Sequence, residues 1–269
     1  MRGVIAQQIK DLFQTHRFAS LATRLLALIL HFVSLPFARA VIDAVATYDD
    51  SSSIYGVGTI CLTNGISPSE TIPHSTRSLD EGLTLIGVAF IASWHGYDRV
   101  IRGLAQYREK TGPAALPVRF LIVGEGGEKD NLRQLCEAAG VSDLVEFTGP
   151  LSGLPLTEAY SSAQVGVGVL GLHRIGLEQA AALKHREYCL LGLPFIWSSH
   201  DGGIPDDFPF ALHCAADDSP IDIGEVIAFV QSLPDDYQTT MHAFALKNLT
   251  WRTQFQTVFE RLDLIRDPG

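Results

Sequence analysis

Cysteine is scarce and unpaired in this chain. Four occur in 269 residues, at Cys61, Cys136, Cys189 and Cys214, with no C-x-x-C pair and no complete set of zinc ligands around any of them. That spacing argues against a disulfide scaffold or a zinc finger and reads as buried thiols in a reducing compartment. Basic residues are outnumbered, 20 Lys and Arg against 30 Asp and Glu, giving a net charge of −10 and a pI near 5.3. Binding nucleic acid requires clustered cations against phosphates, so this balance excludes an obvious nucleic-acid surface. No G-x-S-x-G elbow supports a hydrolase. His173, His185, His200 and His213 show no metal-ligand spacing. A long uncharged apolar run is missing too. The nearest, Leu21–Ala40, ends in Ala38-Arg39-Ala40 but starts late for a signal peptide and carries Arg24 and Pro36. A core helix and a membrane-facing helix both stay open, and Lys10, Arg17, Arg24 and Arg39 would also suit peripheral contact with an anionic inner leaflet.

What is present is a chain 46% hydrophobic and 19% charged, enough for a sizeable core. From residue 83 short apolar runs alternate with helical patterns: strand Leu83–Phe90, helix 97–110, strand Val118–Val123, helix 128–139, strand Leu144–Phe147, helix 155–162, strand Val165–Leu170, helix 180–191, strand Phe195–Trp197. Such alternation predicts right-handed βαβ units, hence an α/β, Rossmann-like parallel sheet with helices on both faces. Residues 67–82, rich in Pro, Ser and Thr, read as a linker, 83–234 as the Rossmann-like domain and 235–269 as one or two terminal helices. The first 66 residues are mostly helical in pattern and too few for a second domain of the same kind.

The richest stretch is Leu183-Lys184-His185-Arg186-Glu187-Tyr188-Cys189-Leu190-Leu191-Gly192-Leu193-Pro194, a charged helix running into an apolar strand. Lys184 and Glu187 lie three apart and share a face near the helix N-terminus, where the backbone dipole also favours an anion. A cation with free N–H groups suits a diphosphate, and a carboxylate suits ribose hydroxyls; an ordinary surface Lys–Glu pair is the plainer alternative.

Lys-x-x-Glu-Tyr-x-x-x-Gly-x-Pro resembles the donor-site helix of GT-B glycosyltransferases, in particular glycosyltransferase family 4. Ser93-Trp94-His95-Gly96-Tyr97-Asp98-Arg99 resembles the first loop of that family's C-terminal domain, in the form found in bacterial surface-polysaccharide enzymes. Arg119–Gly126 and Val145–Gly149 resemble its next two strands, and Thr63-Asn64-Gly65-Ile66 its entry segment. The resemblance spans Ile54 to Leu262 and implies that residues 1–66 are a remnant of an acceptor domain, with Val41–Tyr48 its last strand. It further implies donor-binding roles for Glu187, Lys184, His95, Gly96, Arg99, Gly124, Thr148 and Gly149, with Glu187 on ribose, Lys184 on diphosphate, and a cationic His95 or Arg99 replacing a missing first-loop arginine. Read by itself, Gly124–Lys129 is a plain turn. The family's first carboxylate is absent: Gln179 holds its place, and Glu178, one residue early, would point about 100° away on a helix.

The reaction so implied moves a hexose from a nucleoside-diphosphate sugar to a glycan or lipid-linked acceptor in surface-polysaccharide synthesis. It is cytoplasmic, retains anomeric configuration and uses no cofactor and no metal; the absence of any Asp-x-Asp agrees with the last point. The alternative is a non-catalytic nucleotide-sugar-binding fragment or subunit that needs a partner acceptor domain; by this reading the chain binds donor and transfers poorly alone. A nucleotide-sugar epimerase of related fold is a third reading, disfavoured by the His95-Gly96 loop and the Lys184–Glu187 helix.

Overall fold

Apolar runs that a parallel sheet can bury on both faces are the ones that form its strands. The computed structural model describes residues 79–112 and 116–266 and, before them, 29, 33–34, 36–37, 39–47, 53–54 and 56–68. Residues 21–28, 30–32, 35 and 38 of the N-terminal apolar run, and 69–78 of the expected linker, lie outside the described residues. The chain divides into a smaller unit, Met1–Leu62 with Val258–Gly269, and a larger one, Thr63–Thr257.

In the smaller unit β1 (Val45–Thr47), β2 (Ser53–Ile54) and β3 (Val57–Cys61) form a sheet in the order β1-β3-β2, with β1 parallel and β2 antiparallel to β3. The strand expected over Val41–Tyr48 narrows to β1, because Val41 still belongs to the preceding helix and Tyr48 lies outside the described residues. Ile29, Val33, Phe37 and Val41 are helical and exposed. Among the described residues no helix is long and apolar enough to cross a membrane.

The larger unit holds β4 (Leu83–Val88), β5 (Val118–Val123), β6 (Val145–Gly149), β7 (Val165–Val167), β8 (Phe195–Trp197) and β9 (Ala211–His213), all parallel, in the order β6-β5-β4-β7-β8-β9. Its helices are α1 (Tyr97–Thr111), α2 (Lys129–Ala138), α3 (Leu154–Ser161), α4 (Leu183–Leu191), α5 (Ile223–Gln231) and α6 (Tyr237–Asn248), and α7 (Trp251–Arg266) ends the described chain. Strand β5 shows why both faces are covered. Of its residues only Arg119 is exposed, and the rest alternate sides. Phe120 and Ile122 join Val100 and Leu104 of α1, Leu132 of α2 and Val226 of α5, whereas Leu121 and Val123 join Tyr160 of α3, Tyr188 of α4 and Met241 of α6. Val100, Ile101 and Leu104 are fully buried along one side of α1, and burying an aliphatic side chain of this size is worth roughly 1.5–3 kcal/mol.

The Rossmann-like expectation holds, and several local bounds change, the strand expected over Leu83–Phe90 ending at Val88. The helix placed at 180–191 begins at Leu183, because Glu178–Ala180 is extended: Ala180 N–H donates to His200 O and His200 N–H to Glu178 O, at 3.0 Å each. Strand β9 and helix α5 had no counterpart in the sequence reading. The run Val165–Leu170 is a strand only to Val167. The entry segment docks within the larger unit, Ile66 N–H donating to Leu249 O and Trp251 N–H to Ile66 O.

Candidate functional site

Chain order reverses at the middle of the large sheet, since β4 leads outward to β5 and β6 on one side and β7 leads to β8 and β9 on the other. Connections leaving β4 and β7 must therefore part, and the crevice beyond the strand C-termini at such a switch point is where open α/β sheets bind ligands. A cavity of about 510 Å³ lies here. Val88 at the end of β4 with Ala89 and Phe90 after it, Trp94 and His95 before α1, Val169, Leu172 and Ile175 after β7, and Ala180–Lys184 with Glu187 line it. Most of that wall is apolar, so the three ionisable side chains, His95, Lys184 and Glu187, carry its polarity.

Lys184 is the second residue of α4 and is only 8% exposed. Its ammonium donates to Tyr97 Oη at 3.0 Å and sits 5.0 Å from the centre of the same ring. Burial pulls this ammonium down to about 7, partly opposed by Glu187. Glu187, one turn along, accepts a hydrogen bond from Tyr160 Oη at 3.0 Å. Burial pushes its carboxyl above the usual carboxylate range, while the Tyr160 bond and Lys184 hold it back. Ala182, the N-cap of α4, offers no side-chain cap, so the first N–H groups of that helix have no side-chain acceptor at the N-cap.

His95 accepts a hydrogen bond from Ala92 N–H on Nδ1 at 3.1 Å, which assigns its proton to Nε2. Burial, then the Lys184 charge, lower its pKa to about 3. His95 is therefore neutral, which corrects the expectation of a cation there. Arg99 is corrected as well. It is 1% exposed, its guanidinium donates to the carbonyls of Ser219 and Leu170 and pairs with Asp217 at 3.6 Å, and it does not line the cavity. Its neighbour Asp98 binds Arg174 and Arg102.

Gly96, Gly124, Thr148 and Gly149, also expected at the donor site, do not line the cavity. Gly96 is left-handed, at φ +66°, and caps α1 where a Cβ would meet Leu170 at 2.7 Å. Gly124, at φ +127°, lets the loop after β5 run against the loop after β4: a Cβ there would stand 1.9 Å from Ala89 O. Gly124 N–H donates to Gly149 O at 2.9 Å, and Thr148 Oγ1 donates to the same carbonyl at 2.8 Å, tying the ends of β5 and β6 together.

Sequence reasoning missed what fixes α4. His185 and Arg186 are fully buried with Asp201; Arg186 donates twice to its carboxylate, at 2.6 Å each, and His185 Nδ1 lies 3.1 Å from it. Burial alone would raise the Asp201 carboxyl, yet these bonds hold it down at about 2. Arg186 Nε also donates to Asn64 O, and Asn64 Nδ2 to Ala181 O, so the entry segment holds the turn that leads into α4. A signal did exist in the run Gly166-Val167-Gly168-Val169-Leu170-Gly171. Cβ atoms at Gly166 and Gly168 would strike Tyr188 and His185 at 2.7 and 2.5 Å, so these glycines admit α4 close against β7. Among the described residues no group of three or more His, Cys, Asp or Glu could hold a metal ion.

Residues 82–227 match the family model described as Glycosyl transferases group 1. No curated protein matches the chain. Among solved structures it is similar to a glycosyltransferase from Rickettsia africae ESF-5, with a TM-score of 0.65 and 10% identity over 88% of this chain and 68% of that one. Anabaena HepE in complex with UDP gives 0.60 and 17% identity over 92% of this chain and 69% of that one. Sucrose-phosphate synthase from Thermosynechococcus elongatus gives 0.59 and 17% over 94% and 65%. At identities this low the TM-scores establish the shared fold alone.

Proposed function

The chain belongs to the glycosyl transferases group 1 family, and from that premise we propose that its switch-point cavity binds a nucleoside-diphosphate sugar and that the sugar passes to a glycan or lipid-linked acceptor, as in surface-polysaccharide synthesis. The observation that carries this reading is the pairing of Lys184 and Glu187 on one wall of the cavity, with α4 directed N-terminus first toward it. A diphosphate carries charge at that point in the ground state and gains more as the bond to the sugar breaks, so a cation and free N–H groups stabilise the departing group most in the transition state. In this reading Glu187, which accepts a hydrogen bond from Tyr160, also accepts from ribose hydroxyls. The positive charge is proposed to come from Lys184 and the helix terminus, with no metal and no cofactor. HepE is described in complex with UDP, which agrees with a uridine nucleotide as first candidate. Buried thiols at Cys136 and Cys189 suit a cytoplasmic setting.

A second reading, a binding module without turnover, draws on Gln179. The resembled family places a carboxylate there, close to the transferred sugar, whereas here an uncharged residue sits in an exposed extended segment ahead of α4. The experiment that decides is to offer a panel of nucleoside-diphosphate sugars in the presence of chelator and follow nucleoside-diphosphate release with and without glycan and lipid-linked acceptors. Acceptor-dependent release supports the transferase. Tight binding with no release from any donor and acceptor pair supports the module.

A further inference from the structure

The cavity's one cation is a buried lysine, and the acceptor of its hydrogen bond comes from another element. We propose that Tyr97, at the start of α1, is a positioning residue that holds the Lys184 ammonium protonated at the cavity wall and thereby sets how tightly, and over what pH range, the site takes a diphosphate. The proposal rests on the donor-site reading above.

Geometry supports it from both sides of the contact. Tyr97 Oη accepts from Lys184 Nζ at 3.0 Å, leaving two ammonium donors for an anion. The Tyr97 ring also lies 5.0 Å from that nitrogen, a second interaction that favours the cation over the neutral amine. The phenol has little freedom to move away. It stands edge-on to Phe120 at 5.4 Å and tilted against His95 at 5.6 Å. Gly87 of β4 supplies the room it occupies, since a Cβ there would come within 2.7 Å of the hydroxyl. Tyr97 is not an anion, because burial raises its pKa well above the ordinary phenol value.

The groups that face Lys184 are few. Its own helix contributes Glu187, whose charge favours the ammonium, and His185, which is buried beneath. The turn before α1 contributes His95, neutral because of burial and of Lys184 itself. Tyr160 of α3 acts on Lys184 only through its bond to Glu187. Among these, Tyr97 is the direct acceptor. Burial already draws Lys184 to about 7, opposed by Glu187; on the proposal, losing the Tyr97 acceptor moves that titration further down.

The test uses Tyr97→Phe, which keeps the ring and removes the hydroxyl. The Lys184 side chain is titrated by NMR on lysine-labelled protein without ligand, its signal identified by disappearance in Lys184→Met. The midpoint is expected to fall by about one pH unit or more, a tenfold change in the protonation equilibrium. UDP and uridine are then titrated by calorimetry between about pH 6 and about pH 8.5; the Tyr97→Phe loss for UDP should grow with pH to about tenfold or more, while uridine is unaffected. Gly87→Ala, which displaces the phenol without removing it, should move both readouts in the same direction.

An unchanged midpoint in both variants, each still unfolding cooperatively, overturns the proposal. So does a UDP loss that is the same at every pH, which marks Tyr97 as packing. A shifted midpoint in a protein whose wild type binds no UDP supports the hold of Tyr97 on Lys184 and defeats the donor-site reading alone.

Discussion

Lys184 is a buried cation on a cavity wall, and its pKa of about 7 reflects the cost of burying that charge at the site proposed for a diphosphate. The ordinary value is 10.5, so between about 7 and 10.5 the unfolded chain holds a proton that the folded chain gives up. Stability contributed by this residue therefore rises with pH across that window, and at about pH 6 the folded state carries the full penalty of the buried charge. Lys184→Met should raise the thermal unfolding midpoint at that pH while weakening diphosphate binding. A bound diphosphate favours the ammonium, so UDP binding near neutral pH should take up protons, seen as a binding heat that varies with buffer ionisation enthalpy. Affinity should fall as pH rises through about 7. Glu187→Ala should cost about 1–3 kcal/mol of UDP affinity, the scale for losing hydrogen bonds to a charged group; unchanged calorimetric affinity with intact folding would remove Glu187 from the site. The spacing of Lys184 and Glu187 was legible in the sequence. Their tyrosine partners were not, because Tyr97 and Tyr160 stand 87 and 27 residues away and meet them only after the sheet has formed.

At the scale of elements, helix α4 is placed by contacts beneath it rather than by its own sequence. Ala180-Ala181-Ala182 has strong helical propensity, yet it stays outside the helix because Ala180 pairs with His200 and Ala181 O accepts from Asn64. Tertiary hydrogen bonds overrode local preference, and periodicity could not reveal that. By contrast α5 carried a readable start signal, Asp222 with Glu225 three residues on, and Asp222 Oδ1 does accept from Gly224 N–H at 2.8 Å. Strand β9 is three residues long and only partly buried, too short for any period to register. The Asp201 cluster gives a test of what anchors α4. Asp201→Ala leaves buried His185 and Arg186 without their acceptor and should destabilise the fold by about 3–5 kcal/mol in denaturant unfolding. Asp143→Ala, which breaks an exposed pair with Arg108, should cost no more than about 1 kcal/mol. Similar losses for both variants would mean that the buried cluster is not what fixes the helix.

For the molecule as a whole, the alternation of strands and helices from residue 83 was enough to expect a parallel sheet, and the order β6-β5-β4-β7-β8-β9 is what turns that sheet into a site. The reversal between β4 and β7 opens a cavity at their C-terminal ends, and the helix that follows β7 brings one cation and one carboxylate to it. Sequence spacing named those two residues but gave no strand order, which depends on how the crossovers pack. With a net charge of −10 the protein repels anions at long range. On the proposed function, selective capture of a diphosphate then rests on short-range contacts at Lys184 and the α4 terminus. The most direct measurement is calorimetric titration of the wild type and Lys184→Met with UDP and with uridine, in chelator at about pH 6.5, where Lys184 is mostly charged. The account predicts that UDP binds the wild type far more tightly than uridine, and that the substitution removes this difference while leaving uridine affinity unchanged. Equal losses for UDP and uridine, or UDP binding that appears only when a divalent metal is restored, would contradict it.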